Sequence, residues 1–397
     1  LNPDGPSWAK VLRDAGYKTG YLGKWHLYPE YSGTKQEALD AGLARPTNFL
    51  QPPPEHRYGF DWWRQSFDYD DCNATKYFDE QGVVRTYEGY APTAQIQQAI
   101  EFVESNRDKP FALVVSVLPP HPGGGNPPSK WRKIYTEQKD KLTVRENVPE
   151  DLRQSYRDKQ LPKIYAHLSA IDEAFGTLLD KLDALGLADD TIVVWSSDHG
   201  NMLGSHTATN KRCVWDESIK IPFIVRWPRG VPGGARKLDT LLSAWDIGPT
   251  LLGLCGMKPD PRMDGLDLSH ALRGQPGPEP DSAFIMHVLG PQGQEPTAKG
   301  ISHLVDFRGV RTKRFTFALQ KAAGHIEPYV LYDNQSDPFQ MKNLIADPAH
   351  ADTMKQLRAE LEKWLAKAGE SHWLTEGDHW KGVPVIKGGP RNPESDR

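Results

Sequence analysis

Short apolar runs alternate along this chain with longer stretches in which apolar residues recur every three or four positions, the rhythm of strands exchanging with helices. Trp8, Val11, Leu12 and Ala15 follow Ser7 at helical spacing and are closed by Gly16, which predicts a short capped helix. Residues 17–22 then predict a strand that ends in GKWH at 23–26. An amphipathic helix is predicted over 92–104, and FALVVSV at 111–117 has the length and type of a buried parallel strand, stopped by Pro119, Pro120, His121 and Pro122. Ile164, Leu168, Ile171, Phe175, Leu178, Leu179 and Leu182 predict a long helix over 161–185 with Gly186 as its stop. TIVVWSS at 191–197 reads as another buried strand delivering Asp198, His199 and Gly200, followed by a strand over 221–227 and a helix over 245–254 begun by the Asp246 turn.

Between residues 28 and 90 the periodicity fades into Pro, Gly and aromatic residues, which reads as a long ordered insertion. From about Ala298 the rhythm changes: 306–319 and 329–332 predict short antiparallel strands, and 353–368 one amphipathic helix. The expected fold is therefore α/β, a mostly parallel sheet flanked by helices, with a small C-terminal α+β subdomain. Its expected divisions are a core over 1–297, a subdomain over 298–370 and an extended tail over 371–397, which Trp373 and Trp380 pin to the body.

Composition narrows the function classes. The 397 residues are 38% hydrophobic and 10% aromatic, ample material for a large core. With 48 Lys and Arg against 52 Asp and Glu the net charge is -4, and no basic excess exists to neutralise a phosphate backbone, which argues against nucleic acid as a partner. No apolar run approaches the roughly 18 residues of a membrane span. The 35 Gly and 33 Pro imply long irregular loops, where sites concentrate. The odd trio Cys72, Cys213 and Cys255 is too sparse for a disulfide framework or a CxxC metal site.

Three predicted strands end in polar groups suited to one anion site: Lys24 and His26 after the first, His121 after the second, Asp198 and His199 after the third. Open α/β sheets bind ligands beyond the carboxyl ends of their strands, so these groups can converge although they are distant in sequence. Taken singly, each has a plain alternative as a solvated lysine, a loop histidine or a turn histidine held by prolines. Asp198, expected at low dielectric beside an imidazole, needs a cation or hydrogen-bond donors. It either caps the following segment or helps to hold a hard divalent cation, the favoured reading, with His199 as a second ligand or as a donor to substrate. Lys211 precedes a strand and can reach an anion bound over the sheet. Cys213 beside it is read as a packed thiol, His206 as a rim or surface residue, and Trp62, Trp63, Phe67 and Tyr69 as aromatic glue between loop and core.

The segments GYKTGYLGKWH (16–26), GFD (59–61), LADDTIVVWSSDHG (187–200) and YDNQSDP (332–338) resemble, in order and over most of the chain, the type I, formylglycine-dependent sulfatases of the alkaline-phosphatase superfamily. The resemblance implies Lys24 and Lys211 as sulfate-contacting lysines, His26 as the histidine beside the nucleophile, and His121 as the histidine that protonates or holds the ester oxygen. It further implies Asp198 and His199 as a pair at a divalent cation, usually Ca2+. The implied activity is hydrolysis of a sulfate ester of a carbohydrate or aryl alcohol, and the implied location is periplasmic or secreted. In the family a Cys/Ser-x-Pro-Ser-Arg stretch supplies the nucleophile and an early Asp-Asp pair supplies further metal ligands; neither stands ahead of residues 7–27 in this sequence, and the stretch occurs nowhere in it. Both elements precede the segment resembling 7–27 in family members, so the expectation is an amino-terminally truncated chain without its nucleophile and inactive alone. The rival expectations are a phosphonate monoester or phosphodiester hydrolase of the same superfamily, and a non-catalytic protein that binds sulfated glycans.

Overall fold

The computed structural model describes residues 2–25, 27, 51–67, 71–121, 124–288, 305–322 and 325–374. Strand β1 (Lys18–Lys24) runs inside a five-stranded sheet of order β4-β3-β2-β1-β5, with β2 (Trp62–Ser66), β3 (Lys76–Phe78), β4 (Val84–Thr86) and β5 (Phe111–Ser116). It is parallel to both neighbours, so that Gly23 stands opposite Gln65 on one side and Ser116 on the other. Gly23 has φ +107°, and a Cβ there would lie 2.0 Å from the Ser116 carbonyl oxygen. Only glycine permits that backbone approach.

Successive β1 side chains leave opposite faces of the sheet, as the pleat requires. Tyr21 packs with Trp25, Phe60, Trp63 and Val114 against Ala9 of helix α1 (Trp8–Asp14). Leu22 packs with Leu113 and Val115 against Ala91 and Ala99 of α2 (Ala91–Asn106), where Leu178 joins them. Helix α3 (Ser129–Glu137) lies on α4 (Leu161–Ala184), and α5 (Ala244–Leu254) lies beside α1. The core is thus a sheet covered on both faces. Strands β6 (Val193–Ser196) and β7 (Phe223–Arg226) form a separate antiparallel pair.

The C-terminal unit is an antiparallel sheet of order β11-β10-β9-β8, built from β8 (Ser282–His287), β9 (Asp306–Thr312), β10 (Phe315–Ala322) and β11 (His325–Asp333). On one face helix α6 (Ala351–Lys367) presents Leu357, Leu361 and Leu365, four residues apart, to Val310, Phe317, Leu331 and Trp373. The other face carries Phe307, Ala318, Val330 and Tyr332, which pack on Met202, Ala208, Cys213, Val214 and Trp215 of the loop after β6.

Several expectations are corrected. The Ser7 hydroxyl donates to the Tyr58 carbonyl at 2.6 Å and does not cap α1. The region taken as an insertion supplies β2, β3 and β4, whose three to five residues are too few to show an alternating pattern. Only the β2-β1-β5 part of the sheet is parallel; β3 and β4 add to it antiparallel. The strand over 111–117 is half-buried at every position, β5 being the last strand of its sheet among the described residues, and the strand over 191–197 pairs antiparallel with β7. The C-terminal sheet begins at Ser282, ahead of residue 298, and 306–319 is a β9–β10 hairpin. Trp373 is buried against this sheet, whereas Trp380 lies outside the described residues.

Leu361 is fully enclosed between α6 and the sheet. Leu361→Ala is expected to lower stability by about 2–5 kcal/mol, measured as a shift of the urea midpoint at unchanged slope.

Candidate active site

The parallel ends of β1 and β5 are joined by one phenol. Tyr21 donates to the Lys24 carbonyl and accepts from the Ser116 hydroxyl. Burial pushes this phenol well above its ordinary range, and the nearby Asp198 charge adds to the effect. The Tyr21 hydroxyl therefore stays protonated and serves as a brace. Above it, Lys24 Nζ lies 3.8 Å from Asp198 Oδ2, with the lysine side chain 12% exposed and the carboxylate 66% exposed. The end of β6 thus meets the end of β1. Asp198 was expected at low dielectric; it faces water because β6 belongs to a half-exposed two-stranded sheet.

Asp198 Oδ1 accepts the His199 N–H at 3.0 Å, and Oδ2 lies 3.4 Å from His199 Nε2. His199 Nδ1 is 2.7 Å from the Gly200 carbonyl oxygen, which can only accept, so Nδ1 carries a proton. The other ring nitrogen, Nε2, faces the Asp198 carboxylate oxygen. Gly200 closes the turn: its N–H donates to the Ser218 carbonyl at 3.0 Å, and a Cβ would lie 2.0 Å from the Glu217 carbonyl oxygen.

His121 sits five positions past the end of β5, in a turn closed by its N–H on the Leu118 carbonyl at 3.1 Å. The loop that follows is pinned by the core. Cys72 N–H donates to the Gly124 carbonyl at 3.1 Å, Asn73 donates to the Asn126 carbonyl at 3.0 Å, and the His167 ring donates to Gly125. His167 Nδ1 lies 2.8 Å from the Tyr90 hydroxyl, which must then be the donor to the neutral ring. Burial, with the Lys163 charge nearby, pushes the His167 imidazole down to about 4.

Lys211 stands between two residues in left-handed backbone, Asn210 at φ 68° and Arg212 at φ 73°. Its loop is tied to the Asp198 turn through Gly200 and Ser218. The structure brings Lys24, Asp198 and His199 together; His121 lies on the loop after β5, and Lys211 on a loop tied to the Asp198 turn through Ser218 and Gly200. His26 lies outside the described residues, as does Tyr69. His206 is an interior support: it stacks on Trp215 at 4.5 Å and bonds Asn147 at 3.1 Å. Burial pushes the Cys72 and Cys213 thiols up to about 11, so both are protonated at neutral pH and unsuited to attack. Sequence reasoning missed Tyr21, His167 and Asn147, whose apolar or unremarkable neighbours hide their bonding partners.

Among the described residues no three His, Cys, Asp or Glu side chains group as a metal site. Asp198 Oδ2 and His199 Nε2, 3.4 Å apart, are two potential donors where calcium takes six to eight oxygens.

Residues 3–257 match the family model described as Sulfatase, and 204–367 match N-sulphoglucosamine sulphohydrolase, C-terminal. The chain is 34% identical over 368 residues to an ulvan-active sulfatase of Formosa agariphila, covering 91% of this chain and 66% of that protein. It is 28% identical over 399 residues to an endo-4-O-sulfatase of Bacteroides thetaiotaomicron, covering 95% and 76% respectively. A solved structure described in the context of the metabolism of multiple glycosaminoglycans by Bacteroides thetaiotaomicron superposes with a TM-score of 0.80 at 27% identity, covering 95% of this chain and 79% of that one.

The His167 contact predicts a pH dependence. Its folded pKa of about 4 lies below the ordinary 6.5, so the unfolded chain binds more protons between these values and stability falls as pH drops through that window. The loss is expected to reach about 3 kcal/mol. Denaturation midpoints at pH 7, 5 and 4 should fall steeply for the wild type and more gently for His167→Gln, the two converging in acid.

Proposed function

Because the chain belongs to the sulfatase family, we propose that the protein built on it hydrolyses sulfate esters of carbohydrates. The observation that supports this most is the partly buried Lys24 ammonium held 3.8 Å from Asp198 where the ends of β1 and β6 meet. That arrangement offers a fixed positive charge, backed by a low-dielectric sheet, to an oxyanion arriving from the open side. The chain spans 66% of the length of the ulvan-active sulfatase, so the activity is assigned to the whole protein. The carbohydrate part rests on relatives named for ulvan and for endo-4-O-sulfate removal.

In this reading Lys24 and Lys211 neutralise the sulfuryl oxygens, whose charge shifts as the S–O bond to the alcohol breaks. His121 gives a proton to the departing alcohol oxygen. The resemblance assigns His26 as the histidine beside the nucleophile, which is none of the side chains named here. Asp198 and His199 hold two positions of a divalent cation, Ca2+ by resemblance, which adds Lewis-acid charge when bound. Further ligands are needed to complete its shell.

Lys24→Met in the whole protein is expected to lower kcat for a sulfate ester by about 100-fold or more while the fold is retained. Sulfate release from sulfated oligosaccharides, followed by ion chromatography beside phosphate release from matched phosphate esters, tests the reaction class. Faster phosphate release would overturn the reading, as would an unchanged kcat in the Lys24 variant.

A further inference from the structure

The loop over 202–215 that carries Lys211 is not a shape its own backbone prefers. Leu203, His206, Thr207, Asn210 and Arg212 all have positive φ, between 45° and 73°. Left-handed backbone brings the Cβ of such a residue close to the following carbonyl oxygen and is unfavourable. The conformation must therefore be imposed from outside.

Two kinds of contact impose it. Met202, Ala208, Cys213, Val214 and Trp215 sit on the inner face of the C-terminal sheet, which sets depth but little direction. Direction comes from the polar contacts at the returning limb. Arg311 on β9 clamps Asp216 with both arms, Nε to Oδ1 at 3.0 Å and Nη2 to Oδ2 at 3.1 Å, a pair about one-sixth exposed on each side. The Asp216 N–H donates to Gln340 Oε1 at 2.8 Å. Gln340 is itself locked, being 1% exposed and donating from Nε2 to Thr316 Oγ1 at 3.1 Å and Asn334 Oδ1 at 2.8 Å. Trp215 Nε1 donates to the Tyr332 hydroxyl at 3.2 Å. From the core side, Arg145 and Asn147 hold Glu217 at 2.8 and 2.7 Å.

We propose that Arg311 and Gln340 are positioning residues for Lys211, acting through Asp216 to fix the angle at which the loop presents its ammonium beside the Asp198 turn. The proposal rests on the sulfatase reading for the role of Lys211. It makes the C-terminal sheet a working part of the site, for Lys211 lies only five residues before the clamped Asp216 and seven before Ser218, which holds Gly200. A displacement of about 1 Å in a charge of this kind is enough to cost on the order of 100-fold in rate.

The test compares wild type, Arg311→Met, Arg311→Lys and Gln340→Met in the whole protein, by hydrogen exchange and by turnover of a sulfated oligosaccharide. Arg311→Met and Gln340→Met should each speed amide exchange at 202–215 by about tenfold or more, with β1, β5 and β9–β11 still protected. In both, kcat should fall about 10- to 100-fold with KM changed by less than about threefold, and Arg311→Lys should recover most of kcat. Unchanged exchange at 202–215 in both methionine variants, or an unchanged kcat, would overturn the proposal. So would protection lost equally across β9–β11 in both, since that marks a general structural role. If the wild type cleaves no sulfate ester, the functional reading fails by itself, and faster exchange confined to 202–215 still supports the clamp.

Discussion

A loop whose backbone is strained in five places has to be bound on several sides, and the segment over 202–215 is bound on three. Its apolar underside lies on the C-terminal sheet, its return limb is held by Arg311 and Gln340, and its neighbour Ser218 holds Gly200 at the Asp198 turn. Two sheets that share no strand are thereby fastened around one short piece of chain. The same piece carries Lys211 and leads through Ser218 and Gly200 to the turn that holds Asp198 and His199, so packing against the C-terminal sheet bears on the placement of a few charges.

Within the core the corresponding device is smaller. Gly23 lets β1 approach β5 closely, and the Tyr21 phenol bridges the two strand ends while its bulk stacks on Trp63 at 5.0 Å. One residue thus supplies both hydrophobic burial and the hydrogen bonds that level the strand ends under Lys24. The Lys24–Asp198 pair adds little stability of its own, since the carboxylate is largely in water. Its value lies in where it stands.

How much of this the chain announces depends on whether the cause is local. The helix over 161–185 and the helix over 92–104 follow from apolar residues at helical spacing, and the structure has them as Leu161–Ala184 and Ala91–Asn106. The strand-end groups Lys24, Asp198 and His199 were legible as polar clusters directly after apolar runs, although β6 belongs to a sheet of its own, so that the strand ends meet across two sheets. Strands β2, β3 and β4 were not, being too short for alternation to rise above their aromatic surroundings. An apolar run reports that a strand can be buried and says nothing of its neighbours, which is why β5 and β6 were expected to be more enclosed than they are. Arg311 and Asp216 are 95 residues apart and each reads as an ordinary surface charge, so nothing along the chain could join them.

The placement of β5 carries one more consequence. Phe111–Ser116 is bonded to β1 on one side, and among the described residues no strand pairs with the other, leaving a Val-rich row of peptide groups at the rim of the sheet. Such a rim is a template for any extended segment that meets it. An extended segment laid along that rim would continue the sheet by main-chain hydrogen bonds, and a charged side chain introduced there would oppose it.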